Sequence, residues 1–121
     1  MLFVGLDIES VAEVKKKEAL VKSQAFFTKS ELSYCNNKID SFTGLICLKE
    51  SVIKAISSIG KEVPQYTYKD IELRHNVYGK PYIQTHNNLK KFMTEEQYKI
   101  EVSITHTLDV ASSISLVYKL F

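Results

Sequence analysis

The sequence predicts an α+β fold, with helices packed on an antiparallel sheet. Three observations predict it. The chain opens on an alternating strand and continues into helical segments marked by two capping boxes. After Gly60 the apolar spacing shortens, and the second half reads mainly as strands separated by turn residues.

In residues 2–9, Leu2, Val4, Leu6 and Ile8 alternate with Phe3, Gly5, Asp7 and Glu9, so the two sets occupy opposite faces of a strand. Ser10 followed by Glu13 is a capping-box pattern that starts a helix near residue 11. Its apolar stripe would use Val11, Val14, Leu20 and Val21, with the lysines outward. Thr28 and Glu31 repeat the pattern and open a short helix to about Lys38. Asp40 or Ser41 caps a longer helix to about Ser58, with Phe42, Leu45, Ile46, Ile53 and Ile56 buried and Gly60 as its stop.

Residues 66–73 read as a strand, 76–79 as a turn and 81–84 as a short strand. Leu89, Phe92 and Met93 have helical spacing within residues 88–98. Ile100, Val102 and Ile104 alternate, as do Ile114, Leu116 and Tyr118, and Thr107-Leu108-Asp109 between them predicts a hairpin.

A chain of 121 residues reads as one domain, residues 1–121. A core this small gains from oligomerisation. The net charge of +2, from 16 basic and 14 acidic residues, excludes bulk nucleic-acid binding. The one dense basic run is Lys15, Lys16 and Lys17, joined loosely by Lys22. Cys35 and Cys47 have no ligand spacing for structural zinc and read as reduced, buried thiols. The first residues lack the basic flank of a signal peptide, and no apolar run is long enough to span a bilayer. A cytoplasmic protein without a membrane partner is expected.

Three clusters could carry chemistry. Asp7 sits in an apolar strand; read alone, it faces solvent or caps the following helix. Glu50 and Lys54 lie four apart on one helix, the spacing of an exposed ion pair. His106 ends an alternating strand among Ser103, Thr105 and Thr107, where a structural histidine is the plain reading.

Their order along the chain says more. Gly5-Leu6-Asp7 is followed by Phe27-Thr28 with Glu31, then Lys49-Glu50 with Lys54. Asp70-Ile71-Glu72, Gly79-Lys80-Pro81 and Ser103-Ile104-Thr105-His106-Thr107 complete the set. This ordered set, spread over nearly the whole chain, resembles the holo-acyl-carrier-protein synthase family of phosphopantetheinyl transferases. The resemblance implies an enzyme of fatty acid (lipid) biosynthesis that moves the phosphopantetheine arm of coenzyme A onto a serine of an acyl or peptidyl carrier protein, releasing adenosine 3′,5′-bisphosphate. It implies a bound magnesium ion, with Asp7 and Glu50 as its ligands, and Lys54 beside the reacting phosphate. Asp7, Glu50 and Lys54 would then be the catalytic set, with Glu50, through a water, as the first candidate for the base. Coenzyme A would meet Lys54, Gly79, Lys80, Pro81, Ser103, Thr105 and His106. The short members are homotrimers with the cofactor between neighbouring subunits. The carrier would be acidic and dock on Lys15, Lys16, Lys17 and Lys22; read plainly, these are a solvated helix face.

The chain departs from the family pattern in places. Leu45 stands where an arginine is usual and Ile46 where an aromatic is usual. Glu13 replaces a base in the first helix, and Ser10 replaces an acid, with Glu9 one place early. The glycine-rich stretch after the long helix is thinned to Ser57-Ser58-Ile59-Gly60. These departures mark a divergent member. They motivate one alternative, a degenerate homologue that binds coenzyme A or a carrier without turnover. A subunit that uses only the fold is a third reading.

Overall fold

In the computed structural model, which describes residues 1–120, the elements run in the expected order. They are β1 (Leu2–Ser10), α1 (Val11–Lys16), α2 (Glu18–Val21), α3 (Lys29–Cys35), α4 (Ile39–Ser57), a 3-10 turn (Tyr68–Asp70), β2 (Ile71–His75), β3 (Pro81–Thr85), α5 (Asn87–Glu95), β4 (Lys99–His106) and β5 (Val110–Tyr118). The α+β expectation holds, with one change. The strands form two antiparallel sheets, β1-β5-β4 and the hairpin β2-β3. Cys35 and Cys47 are free and buried, on α3 and α4.

The long helix α4 lies across β1 and β5, and the residues between them are small. Gly5, Ser113 and Ser115 occupy the covered face. Ser51 Oγ and Ser115 Oγ are hydrogen-bonded at 2.6 Å, and Ser113 Oγ donates to the Cys47 carbonyl at 2.7 Å. Gly5 allows the closest approach. A Cβ built on it would stand 1.8 Å from the Ser51 carbonyl oxygen and 2.7 Å from the Ala55 nitrogen. No side chain fits there.

Where α4 crosses Gly5, Ser113 and Ser115 the covered face is small, and the apolar residues that alternate with them in β1 and β5 turn outward. Leu6 is 63% exposed and Ile8 67%; Leu2, Val4 and Ile114 are exposed beside them. In register these residues share one surface, because Leu2, Val4, Leu6 and Ile8 stand opposite Tyr118, Leu116, Ile114 and Ser112. A single chain therefore presents water with the face that ordinary patterning would bury.

A charged pair sits behind α4. Lys49 is wholly buried, and its ammonium donates to Glu31 Oε1 at 2.8 Å and to the Tyr68 carbonyl at 2.9 Å. It also lies over the Phe27 and Tyr68 rings, 5.3 and 4.9 Å from their centroids. Glu31 further accepts from the backbone nitrogens of Leu73, at 2.8 Å, and Thr28, at 3.0 Å. Every charge is thus matched, and losing one partner would cost about 3–5 kcal/mol. Next to it, Glu72 accepts from the Thr28 hydroxyl and Arg74 and is hydrogen-bonded to His86. Burial alone would raise the Glu72 carboxyl, but these hydrogen bonds outweigh it and hold the group below its usual range.

Several boundaries differ from expectation. The first helix breaks at Lys17 into α1 and α2, and Leu20 is exposed where a buried stripe was expected. The α3 helix stops at Cys35, because Asn36 and Asn37 take the left-handed conformation. The α4 helix starts at Ile39, with Lys38 at its cap and no capping side chain. Ile46 and Ile53 are only half-buried, while Leu48, Ser51 and Val52 fill the buried side. Residues 66–70 are not strand. Asp70 accepts from the Thr67 backbone nitrogen at 2.9 Å and closes a 3-10 turn before β2 begins.

Replacing Gly5 by Ala should therefore lower stability by about 3 kcal/mol or more, at or beyond the top of the overpacking range. Thermal melting of Gly5→Ala beside the wild type measures this. An unchanged melting temperature would contradict the contact.

Candidate active site

Two residues after Gly5, the same face of β1 carries Asp7. Its side chain is only 8% exposed, in a place where solvent exposure or helix capping was the plain expectation. The Lys54 ammonium comes down from α4 and donates to Asp7 Oδ1 at 2.9 Å and to the Leu6 carbonyl at 3.0 Å. Asp7 Oδ2 is buried and has no hydrogen-bond partner among the described residues. The simple helix pair expected of Glu50 and Lys54 is thus replaced, since Lys54 is bound to Asp7 instead.

Glu50 and Glu9 complete an acidic group. Lys54 is raised above its usual value by its hydrogen bond to Asp7, by the Asp7 charge, and by Glu50 and Glu9 beyond it. Glu9 is pushed up to about 7, first by burial, then by the carboxyl of Asp7 beside it and by Glu50. Tyr68 donates to Glu50 Oε1 at 3.3 Å. Burial and the Glu50 charge hold this phenol far above its usual range, so it remains a donor at neutral pH. Three carboxylates and one ammonium therefore act on one another at the junction of β1 and α4.

Oxygen donors suit magnesium, which commonly takes one or two carboxylates and completes its shell with phosphate and water. The unpartnered Asp7 oxygen and the raised Glu9 carboxyl both fit a place for a hard cation. Among the described residues no group of three or more His, Cys, Asp or Glu side chains is arranged to hold a metal by itself. The residues present fit an ion completed by ligand oxygens, for which Asp7 and Glu50 could supply the protein acids.

The remaining expected residues divide into two groups. Gly79, Pro81 and His106 line one cleft of about 250 Å³ together with Leu45, Tyr34 and His75. Across the sheet, Asp7, Ser113 and Ile104 form one row, and Glu9, Ala111 and His106 the next. The cleft thus begins two strands, or about 10 Å, from the acids along the same face. Ser103 and Thr105 do not join it. Alternation turns them to the outer face, where they line a shallow groove with Leu6 and Ile114. Lys80 points elsewhere and pairs with Glu101 at 3.5 Å. Of the basic helix, Lys16 is tied to Glu13 and Lys22 to Glu18, leaving Lys15 and Lys17 with no ion pair among the described residues.

Sequence reasoning passed over Glu9 and Tyr68 as site residues. Glu9 was legible, because it shares a strand face with Asp7. Tyr68 gave no signal; only folding brings it to Glu50.

The Glu9 carboxyl makes a pH-dependent contribution. In the folded chain it titrates at about 7, above its ordinary 4.5, so the folded state binds this proton more tightly. Stability from this group is therefore intact below about pH 4.5 and is lost as pH rises through about 7. In metal-free buffer, Glu9→Gln should raise the melting temperature more at pH 8 than at pH 4.5. An equal shift at both would place Glu9 away from Asp7.

Residues 3–111 match the 4′-phosphopantetheinyl transferase superfamily. The chain is 34% identical to the holo-[acyl-carrier-protein] synthase of Caldanaerobacter subterraneus subsp. tengcongensis, over 95% of this chain and 93% of that protein. It is 32% identical to that of Borreliella burgdorferi, over 97% and 98%. Its fold superposes on Helicobacter pylori holo-[acyl-carrier-protein] synthase, solved in complex with coenzyme A, with a TM-score of 0.77 at 28% identity, covering 95% of this chain and 99% of that one. Fold, element order and the match over nearly the whole chain agree: it belongs to the 4′-phosphopantetheinyl transferase superfamily.

Proposed function

We propose that Asp7, Glu50 and Lys54 are the working centre of a holo-[acyl-carrier-protein] synthase, with residues 1–121 acting as one transferase domain. The enzyme moves the 4′-phosphopantetheine group from coenzyme A to a carrier-protein serine. The observation that carries the site assignment is the buried Asp7 carboxylate, bound on one oxygen by Lys54 and unpartnered on the other. Asp7 and Glu50 would hold magnesium, which supplies charge neutralisation on the diphosphate and a more electrophilic phosphorus.

The chain's own residues do the rest. Lys54 already sits on Asp7, where its ammonium would face the charge that builds on the breaking bond. The cleft from His106 to Gly79 and Pro81 offers the adenosine end a surface along the same sheet face. The serine oxygen bonds to the β-phosphorus and the diphosphate P–O bond breaks. Adenosine 3′,5′-bisphosphate leaves, and the serine proton passes to a carboxylate of the acidic group. Positioning and electrostatics supply most of the acceleration.

Assembly as a homotrimer would cover the outward apolar face of β1 and β5, which is what supports that reading. It would also bring Ser103 and Thr105, on that same face, to a neighbouring subunit's coenzyme A. An acidic carrier would meet α1 and α2, with Lys15 and Lys17 offering the unpaired charge. A cytoplasmic location belongs to the same reading. Among the described residues no helix is long and apolar enough to cross a membrane. One observation favours the degenerate alternative: the cleft at Leu45 has no lysine or arginine in its lining. Magnesium-dependent binding of coenzyme A without turnover would select it.

Mass spectrometry tests the activity. With magnesium, coenzyme A and a cognate apo-carrier, the carrier should gain one phosphopantetheine, and Asp7→Ala or Glu50→Ala should each slow transfer by about a hundredfold or more while remaining folded. Full activity in both variants would remove their assigned role. Light scattering tests assembly: Leu6→Asp should convert a trimer to monomers, and an unchanged mass would place the interface elsewhere.

A further inference from the structure

We propose that Tyr68 is the positioning residue for Glu50, its hydroxyl setting the orientation in which that carboxylate meets the cation. The proposal deepens the reading of Glu50 as a metal ligand and rests on it. Tyr68 touches two consecutive residues of α4 in different ways. Its carbonyl accepts from Lys49 at 2.9 Å, and its ring lies 4.9 Å from the same ammonium. Its hydroxyl reaches past them and donates to Glu50 Oε1 at 3.3 Å.

Of the two partners, Tyr68 is the one already held in place. Its ring meets Phe26 and Phe27 edge-on, with centroids 6.4 and 5.9 Å away. Its backbone starts the 3-10 turn that Thr67 and Asp70 close. The ammonium that holds it is itself fixed by Glu31 at 2.8 Å, in a pair with no exposed surface. Glu50 has three rotatable bonds, and among the described residues its carboxylate's hydrogen-bond partner is Tyr68. A fixed donor on one oxygen chooses among its rotamers and leaves the second oxygen for the ion. The buried Lys49–Glu31 pair thereby acts on the site through Tyr68, which explains why so costly a pair lies one residue from a metal ligand. Partners of this kind, one step behind the ligand, typically change metal affinity by about 10–100-fold when removed.

Tyr68→Phe removes only the hydroxyl and keeps the ring contacts and the carbonyl. Manganese, titrated into the whole protein with one equivalent of coenzyme A and no carrier, and followed by the electron paramagnetic resonance of the free ion, reads the affinity directly. Tyr68→Phe should bind about tenfold more weakly, near the low end of that range, with an unchanged melting temperature. Its transfer rate should recover at high magnesium, which a folding defect would not do. Glu50→Gln should weaken binding as well, and the double variant should be no weaker than Glu50→Gln alone. If Glu50→Gln binds weakly but Tyr68→Phe matches the wild type within about twofold, the positioning role is wrong and the metal reading survives. If the double variant loses a further tenfold, Tyr68 acts elsewhere and the proposal fails. If Glu50→Gln binds like the wild type, the metal reading falls and takes this proposal with it.

Discussion

The approach of Gly5 to Ser51 governs the rest of this structure. A strand backbone rests almost directly on a helix backbone, at a separation that leaves no room for a Cβ. Two residues along, strand periodicity delivers Asp7 to the same face, beneath Lys54 one turn down the helix. The junction that tolerates only glycine therefore also sets the reach between the carboxylate and the ammonium. It obliges Ser113 and Ser115 to be small as well, and their hydroxyls are satisfied within the contact. Leu2, Val4, Leu6 and Ile8 of β1 and Ile114 of β5 are left on the opposite surface, while Phe3, Val117 and Val102 stay on the covered side. One packing constraint thus produces both a buried acid and an outward apolar face, which ties the site to assembly.

The electrostatics follow from that placement. Burying a carboxylate is costly unless it is paired, and Asp7 is paired on one oxygen only. Glu9 and Glu50 stand close by, and Glu9 rises first through burial and then through Asp7 and Glu50. Like charges gathered at a buried position perturb one another, a pattern that concentrates at functional sites. The Lys49–Glu31 pair shows the opposite design. There every donor and acceptor is matched inside the fold, and the result is a rigid support.

Much of this was legible in the sequence, for identifiable reasons. Thr28 and Glu31 form the capping box that their spacing announced, and Ser10 accepts from the Glu13 nitrogen. The alternation of β1 and of the β4-β5 hairpin came directly from residue type. Residues 66–70 misled because β-prone tyrosines and a threonine compete there with a side-chain cap, which local spacing does not rank. The outward face of β1 was invisible because alternation separates two faces without saying which one a helix covers. Asp7, Glu50 and Lys54 were legible only as an ordered set, since each alone has a plainer explanation. Tyr68 could not be found at all, because its partner is brought near by a turn that the sequence does not advertise. Ser103 and Thr105 stood with His106 through the family resemblance; which face each takes is set by strand alternation, and it turns them away from His106.

The central claim is that two acids, from β1 and α4, hold one hard cation against the diphosphate of coenzyme A. A crystal structure grown with magnesium and coenzyme A tests it most directly. The account predicts an octahedral ion at about 2.1 Å from oxygens of Asp7, Glu50 and the diphosphate. An ion held by other side chains, or a diphosphate bound away from both carboxylates, would contradict it.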